Sequence, residues 1–461
     1  MTHAQPQKKS FFNMNVDLMH GPILKSLLLF MLPILVSNLF QQLYNTVDTM
    51  IVGNVLGDTA LAAIGSCGSI YELLVGFGIG IGNGLAIVAA RSYGAQDHDL
   101  LKKTVAGSLV IGLVASLCIT LAGVLGLHPL LLMLDTPAEI MEGSVTYLQI
   151  YFMGVIALMI YNMGSGILRA IGDSRTPLYF LMVSSVVNIV LDLVFVINVQ
   201  MGVAGVAWAT LIAQVISAGL VLIRLITTKE CYRLIPRDIR FHKHALLETI
   251  RIGLPGGIQN AVVSFSNLIV QYNINSFGAA AVAGCSAYTK IDGFAVLPVM
   301  SFSMAVTTFT GQNVGARNYE RVKKGASTCL KLSLAVTVTL SVLLYAFGGN
   351  LLRVFSSDPE VLSYAVNMMH FLVPGYVCLS VAHTYAGVVR GAGISIVPML
   401  ALVGNMCVLR IIWLTLAMPV FHSIVVVYLG YTLTWFGSGL TMLIYYYKSH
   451  WLERQQLHDQ L

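Results

Sequence analysis

The sequence predicts an all-α membrane protein: twelve transmembrane helices in two parallel six-helix bundles around a central cavity. Three observations carry that reading. Of 461 residues, 57% are hydrophobic and 10% charged, and the mean hydropathy of +0.80 lies outside the range of water-soluble domains. Apolar runs near or above the ~20 residues needed to cross ~30 Å of hydrocarbon can be counted twelve times along the chain. The chain also repeats itself at a spacing of 221 residues.

Taken in order, the opening MTHAQPQKKSFFNMNVDLMHGP is polar and shows no small-residue cleavage site, so it reads as a retained cytoplasmic segment. The spans then fall at 24–53, 57–92, 99–127, 138–165, 176–198 and 202–227. A polar, basic linker, 228–243 (TKECYRLIPRDIRFHK), separates them from spans at 244–276, 280–314, 321–347, 360–389, 394–418 and 422–448. The expected units are therefore an N-terminal six-helix lobe, 1–227, and a C-terminal one, 244–461.

The repeat is visible at unlike residue types. Gly57 matches Gly278, Gly94-Ala95 matches Gly315-Ala316, Lys102-Lys103 matches Lys323-Lys324, and Gly166-x-x-Arg169-x-x-Gly172 matches Gly387-x-x-Arg390-x-x-Gly393. Six spans per repeat is an even number, so both repeats enter the membrane from the same side. Charge agrees: 23 of the 26 Lys and Arg fall on one set of alternate loops and helix ends, Arg169 and Arg390 among them. Only Arg353 takes the other side, with Lys290 and Arg410 inside spans. The positive-inside rule then puts both termini in the cytoplasm. A nucleic-acid surface would not alternate in this way.

Within this apolar framework the polar residues are informative, because an ionisable group at membrane depth costs at least a few kcal/mol and usually faces a cavity or a bundle interior. In the first span Ser37, Gln41, Tyr44, Asn45 and Asp48 recur every three or four residues and form one helix face. The fifth span sets Asn188 and Asp192 four apart, the fourth offers Tyr147 and the sixth Thr210. Carboxylates with amide and hydroxyl oxygens are hard donors suited to Na⁺, and two neighbouring carboxylates can equally hold a proton. The seventh span keeps the stripe, Asn260, Ser264, Asn267 and Gln271, but has no acid opposite Asp48; Leu409 and Trp413 stand opposite Asn188 and Asp192. Gln41, Tyr44 and Asn45 with the seventh-span stripe are the expected lining of a substrate cavity. Lys290, Asp292 and Arg410 could form a charge network in the second half, structural or gating, and Glu72 is either a cavity acid or a helix contact. Beyond Na⁺ at Asp48 and Asp192 no metal site is expected: His370 and His383 are thirteen apart, and seven scattered cysteines show no CxxC pairing.

On LPILVSNLFQQLYNTVDTMIVGNVLG, LRAIGDSRTP, VNIVLDLVFV and the AWAT segment ending at Thr210, the chain closely resembles the multidrug and toxic compound extrusion (MATE) antiporters over nearly its whole length. Within them it is most similar to the bacterial branches related to DinF and MepA. In DinF-like members the resemblance implies an N-lobe cation site, which lands on Asp48, Tyr147, Asn188, Asp192 and Thr210. NorM-like members place acids on helices seven and ten; Val263 and Leu379 stand near those positions here, so no C-lobe cation site is expected.

The expected function is export of amphipathic, mostly cationic organic compounds across a bacterial cytoplasmic membrane by alternating access, coupled to H⁺ or Na⁺. No GxxxxGK[ST] motif supplies nucleotide-driven transport. No cofactor and no nucleic-acid partner is expected, and the chain should work as a monomer on small amphipathic molecules within the bilayer. The alternative, a flippase for lipid-linked saccharides, asks for a strongly basic cavity, whereas the spans offer only Lys290 and Arg410. An intramembrane enzyme would need a constellation such as HExxH or GxSxG, which is absent from the sequence.

Overall fold

The computed structural model describes residues 15–133, 136–240 and 242–458; a few side chains of the second helix, Glu72 among them, lie outside the described residues. Helix follows helix, with no strand among the described residues. They are α1 (Ile23–Ile51), α2 (Asp58–Gly94), α3 (His98–Met133), α4 (Ala138–Met153), α5 (Val155–Ala170), α6 (Arg175–Leu193), α7 (Val203–Thr227), α8 (Lys243–Asn275), α9 (Ala279–Gly315), α10 (Tyr319–Leu352), α11 (Pro359–Leu372), α12 (Gly375–Gly391), α13 (Ile396–Val403), α14 (Arg410–Phe421), α15 (Val425–Lys448) and α16 (Trp451–His458).

Among the described residues, seven helices or helix runs are long and apolar enough to cross a membrane, and nine are if each of two bent pairs counts as one span. The bent pairs are α4 with α5, at 47°, and α11 with α12, at 49°. They break at Gly154 and at the Pro374–Gly375 step, and 375 − 154 is again 221. α8 falls below the apolar mark because its polar residues face inward: Gln259, Asn260, Ser264 and Asn267 line a cavity. Outward, the bundle is apolar, with Leu125 78% and Val354 81% exposed. A soluble protein would not present such a surface, and lipid accepts it.

The repeat extends to the backbone. Left-handed conformations recur at Gly57 and Gly278, at Gln96 and Arg317, and at Gly172 and Gly393, three pairs each 221 apart. Gly172 needs its freedom twice over: φ is +93°, and a Cβ there would stand 2.5 Å from the Val16 carbonyl oxygen.

The first and second sequence halves meet in an exchanged manner, α2 running along α8 and α1 along α9. Glycine permits the closest approach. A Cβ on Gly84 would lie 2.4 Å from the Gly253 nitrogen, and one on Gly94 1.9 Å from the Gln312 carbonyl oxygen. The contact is tightest toward the end of the bundle that carries Arg91, Gly94 and Gly315, where Arg91 pairs with Glu248 at 3.3 Å and Gln312 Nε2 donates to Ala170 O at 2.7 Å. The segment preceding α1 straps the same end: Val16 N donates to Gly172 O, while the Arg321 guanidinium donates to the carbonyls of Leu18, His20 and Gly21.

Two π-helical turns, Val52–Leu56 and Val194–Asn198, directly follow α1 and α6, and a third, Gly404–Leu409, directly precedes α14. Each inserts an extra residue into a helix and re-aims the side chains beside it. Asp48, Asp192 and Arg410 all stand within four residues of such a turn.

Candidate functional site

Helical spacing places Gln41, Tyr44, Asn45 and Asp48 on one face of α1, and all four line a cavity of about 270 Å³ enclosed by α1, α2, α4, α5, α6 and α7. From α6 comes a second stripe, Ser184, Ser185 and Asn188; from α7 comes Thr210, with Gln214 and Ser217 one and two turns on. Asn188 Nδ2 donates to Thr210 Oγ1 at 3.4 Å. Asp192 sits behind Asn188, wholly buried at 0% exposure, and its carboxyl lies within hydrogen-bonding reach of that of Asp48.

All five residues expected to couple a cation therefore gather at one place, Tyr147 included. Tyr151, one turn on from Tyr147, lines the cavity beside it, with ring centroids 6.0 Å apart, and Gln214 Nε2 donates to Tyr151 Oη at 3.2 Å. Tyr161, Ser184, Ser185, Gln214 and Ser217 were missed. The i, i+4, i+7 pattern of Thr210, Gln214 and Ser217 was the available signal.

The chemistry follows from unsatisfied atoms. Asp48 Oδ1, Asp192 Oδ1 and Oδ2, and Asn188 Oδ1 are buried with no hydrogen-bond partner among the described residues. Buried acceptors without donors are costly, and two adjoining carboxylates repel unless a proton or a metal cation lies between them. No Lys, Arg or His is among the residues lining this cavity. What the arrangement can do is take up a small cation.

A second cavity, of about 660 Å³, lies between α2 and α5 of the first half and α8, α9, α12, α14 and α15 of the second. Asn260, Ser264 and Asn267 line it as expected; Gln271 does not, being exposed and donating to Asn275 at 2.7 Å, because it stands a further turn beyond the cavity wall. Asp292 and Arg410 line it too, but Lys290, two residues from Asp292 and so on another helix face, is exposed and lines neither cavity. Asp292 accepts from Tyr376 Oη at 2.5 Å, and Tyr376 is bonded to Tyr288 at 2.7 Å. Arg410 donates to Asn267 Oδ1 at 3.2 Å and Thr434 Oγ1 at 3.3 Å and stacks over Tyr431. The three expected partners thus form no single network. Arg169, Arg390 and His383 also line this cavity, although the first two were counted from sequence as loop-side charges. No cluster of metal-ligating side chains occurs among the described residues.

With this geometry in hand the chain can be compared with known proteins. The MatE family model matches residues 33–194 and 255–440. The chain belongs to the MatE family. Its relatives include the probable multidrug resistance protein YpnP of Bacillus subtilis, 30% identical over 377 residues, or 82% of this chain and 84% of YpnP. The multidrug export protein MepA of Staphylococcus saprophyticus is 21% identical over 80% of this chain and 82% of its own. A solved structure described as an outward-facing conformation of a multidrug resistance MATE family transporter superposes with a TM-score of 0.89 at 20% identity, over 96% of this chain and 99% of that one, so the MatE fold is shared. This MatE protein is accordingly a multi-span membrane transporter and not an enzyme.

Proposed function

We propose that the chain is a cation-coupled antiporter that exports amphipathic organic compounds across a bacterial cytoplasmic membrane by alternating access, with H⁺ or Na⁺ as the coupling ion at Asp48 and Asp192. The observation that carries it is the set of four oxygens of Asp48, Asn188 and Asp192, unpartnered among the described residues, with Asp48 and Asn188 at the wall of a cavity whose described lining has no basic group. A proton or Na⁺ satisfies them, its release leaves them repelling, and occupancy then biases how α1 and α6 pack. The π turns that follow both helices are the natural place for such a shift.

The reading includes twelve spans in two parallel six-helix lobes, 1–227 and 244–461, joined by the cytoplasmic segment 228–243, with both termini cytoplasmic and one chain as the working unit. Left-handed residues recurring at 221 and the exchanged α2–α8 and α1–α9 contacts support the two-lobe relation; the alternation of Lys and Arg supports the orientation. On that orientation the glycine contact seals the cytoplasmic end. The charge of the cargo is a separate matter, since the two cavities differ in charge.

Purified protein in liposomes, loaded with a panel of amphipathic dyes and given a pH gradient or a Na⁺ gradient separately, tests the proposal. Dye movement should follow one of the two gradients. Movement driven by neither, or by ATP alone, would overturn it.

A further inference from the structure

The larger cavity carries a charge that cation coupling does not use. Three guanidinium groups line it, Arg169, Arg390 and Arg410, against one carboxylate, Asp292. None of the three has a carboxylate at ion-pair distance among the described residues, and Asp292 is already engaged by Tyr376. Arg410, 3% exposed, is fixed by Asn267, Thr434 and the Tyr431 ring; Arg390 spends two donors on Ala386 O and Ser303 Oγ. A guanidinium has five donors and stays charged, so donors are left over at both. The repeat explains the convergence: Arg169 of α5 and Arg390 of α12 are 221 apart and reach the same space from the two halves. Unpaired positive charge in a low-dielectric space is costly until an anion arrives. Beside the amides and hydroxyls of α8 and α9, part of the wall is apolar and adaptable, with Met300, Met304, Met406 and Trp435, and about 660 Å³ suits a drug-sized molecule.

We infer that this cavity receives an amphipathic organic anion, its phosphate, sulfonate or carboxylate group held by Arg169, Arg390 and Arg410 and its apolar or aromatic body packed on the methionines and Trp435. The inference rests on the exporter reading and reverses the cationic preference expected from sequence. It also removes a premise of the lipid-saccharide alternative being disfavoured, since the cavity is more basic than the spans alone suggested. Its volume of about 660 Å³ suits a drug-sized anion and not a polyprenyl chain.

The test is equilibrium binding to the purified full chain in nanodiscs, with no gradient, so that failure of ion coupling cannot be confused with failure of this inference. The probes share one body and differ in charge: 1-naphthyl phosphate and (1-naphthyl)trimethylammonium, with a polyprenyl phosphate as competitor. On the unaltered protein the phosphate should bind at least about tenfold tighter than the ammonium, the size expected of charge-assisted fork contacts. R169Q/R390Q should lose about tenfold or more of phosphate affinity with little change for the ammonium, while R169K/R390K, keeping the charge without the fork, recovers part of it. Equal or tighter binding of the ammonium to the unaltered protein overturns the inference whatever the variants do. So does saturation by the polyprenyl phosphate with no binding of the naphthyl phosphate, which would hand the cavity to lipid cargo.

Discussion

Two cavities of one chain, built on repeated halves, have opposite electrostatics. Among the described residues, the smaller is lined by Asp48 with the buried Asp192 beside it, has no basic group in its lining and leaves four oxygens there without donors; the larger is lined by three guanidinium groups and one carboxylate. Repetition supplies the scaffold of both, down to left-handed residues at matched positions, while the charges are placed without symmetry. Asp48 and Asp192 have no acidic counterparts in the second half, whereas Arg169 and Arg390 are counterparts that meet in a single space. On the proposed reading, ion uptake and cargo binding fall to different cavities, and divergence of two like halves separates them physically.

The largest effect should break the smaller cavity. Asp48→Asn or Asp192→Asn keeps size and hydrogen-bonding capacity but removes the charge, and each variant should reach the membrane at near-normal levels yet show only the dye efflux of empty liposomes under an imposed gradient. Parent-rate efflux by both would detach coupling from these acids and turn attention to Asp292 and Arg410.

The seal beneath both cavities comes next. Gly84→Val drives a side chain into backbone 2.4 Å away, and such overpacking costs about 1–3 kcal/mol. Thermal melting in detergent should fall by several degrees and transport should slow, whereas Gly107→Ala, with nothing within 4 Å, should melt like the parent. Equal melting of the two variants would mean that the α2–α8 contact is not closed in the resting protein.

A milder change sharpens the assignment of hydroxyls. Thr210→Val removes the acceptor of the Asn188 amide and should weaken ion occupancy by about 1 kcal/mol, seen as a several-fold shift in the gradient needed for half-maximal efflux with the maximal rate kept. An unchanged half-maximal gradient would leave Tyr147 and Tyr151 as the hydroxyl ligands.

The smallest effect separates two residues of one stripe. Gln271→Ala should lie within about 0.5 kcal/mol of the parent in stability and leave transport unchanged, because Gln271 bonds only Asn275 among the described residues. Asn267→Ala frees one arm of Arg410 and should alter cargo affinity measurably. If the two behave alike, Asn267 does not position Arg410.

The sequence was most legible where periodicity does the work. Gln41, Tyr44, Asn45 and Asp48 form a face because a helix repeats every 3.6 residues, and the same arithmetic on α6 brings Asn188 and Asp192 to it. Glycine and charge recurring at 221 announced the repeat. Periodicity misleads near helix ends, where one face can pass from cavity to exterior: Gln271 continues the α8 stripe and is outside; Lys290, within α9, precedes Asp292 by only two residues and so lies on another face.

By itself, then, the sequence determined that the chain is helical and lipid-embedded, that it consists of two like halves, and that Asp48 and Asp192, the acids of its candidate cation site, lie in the first. Those properties follow from residue hydropathy and spacing, which are local. Only the tertiary structure decided which oxygens are left without donors, which tyrosines face the acids, and that Arg169 and Arg390 share a cavity with Arg410. These depend on how helices far apart in the chain cross and on glycine contacts that bring α2 against α8. Charge counted by loop could not reveal a basic cavity, because a long arginine side chain at a helix end can turn inward as readily as out.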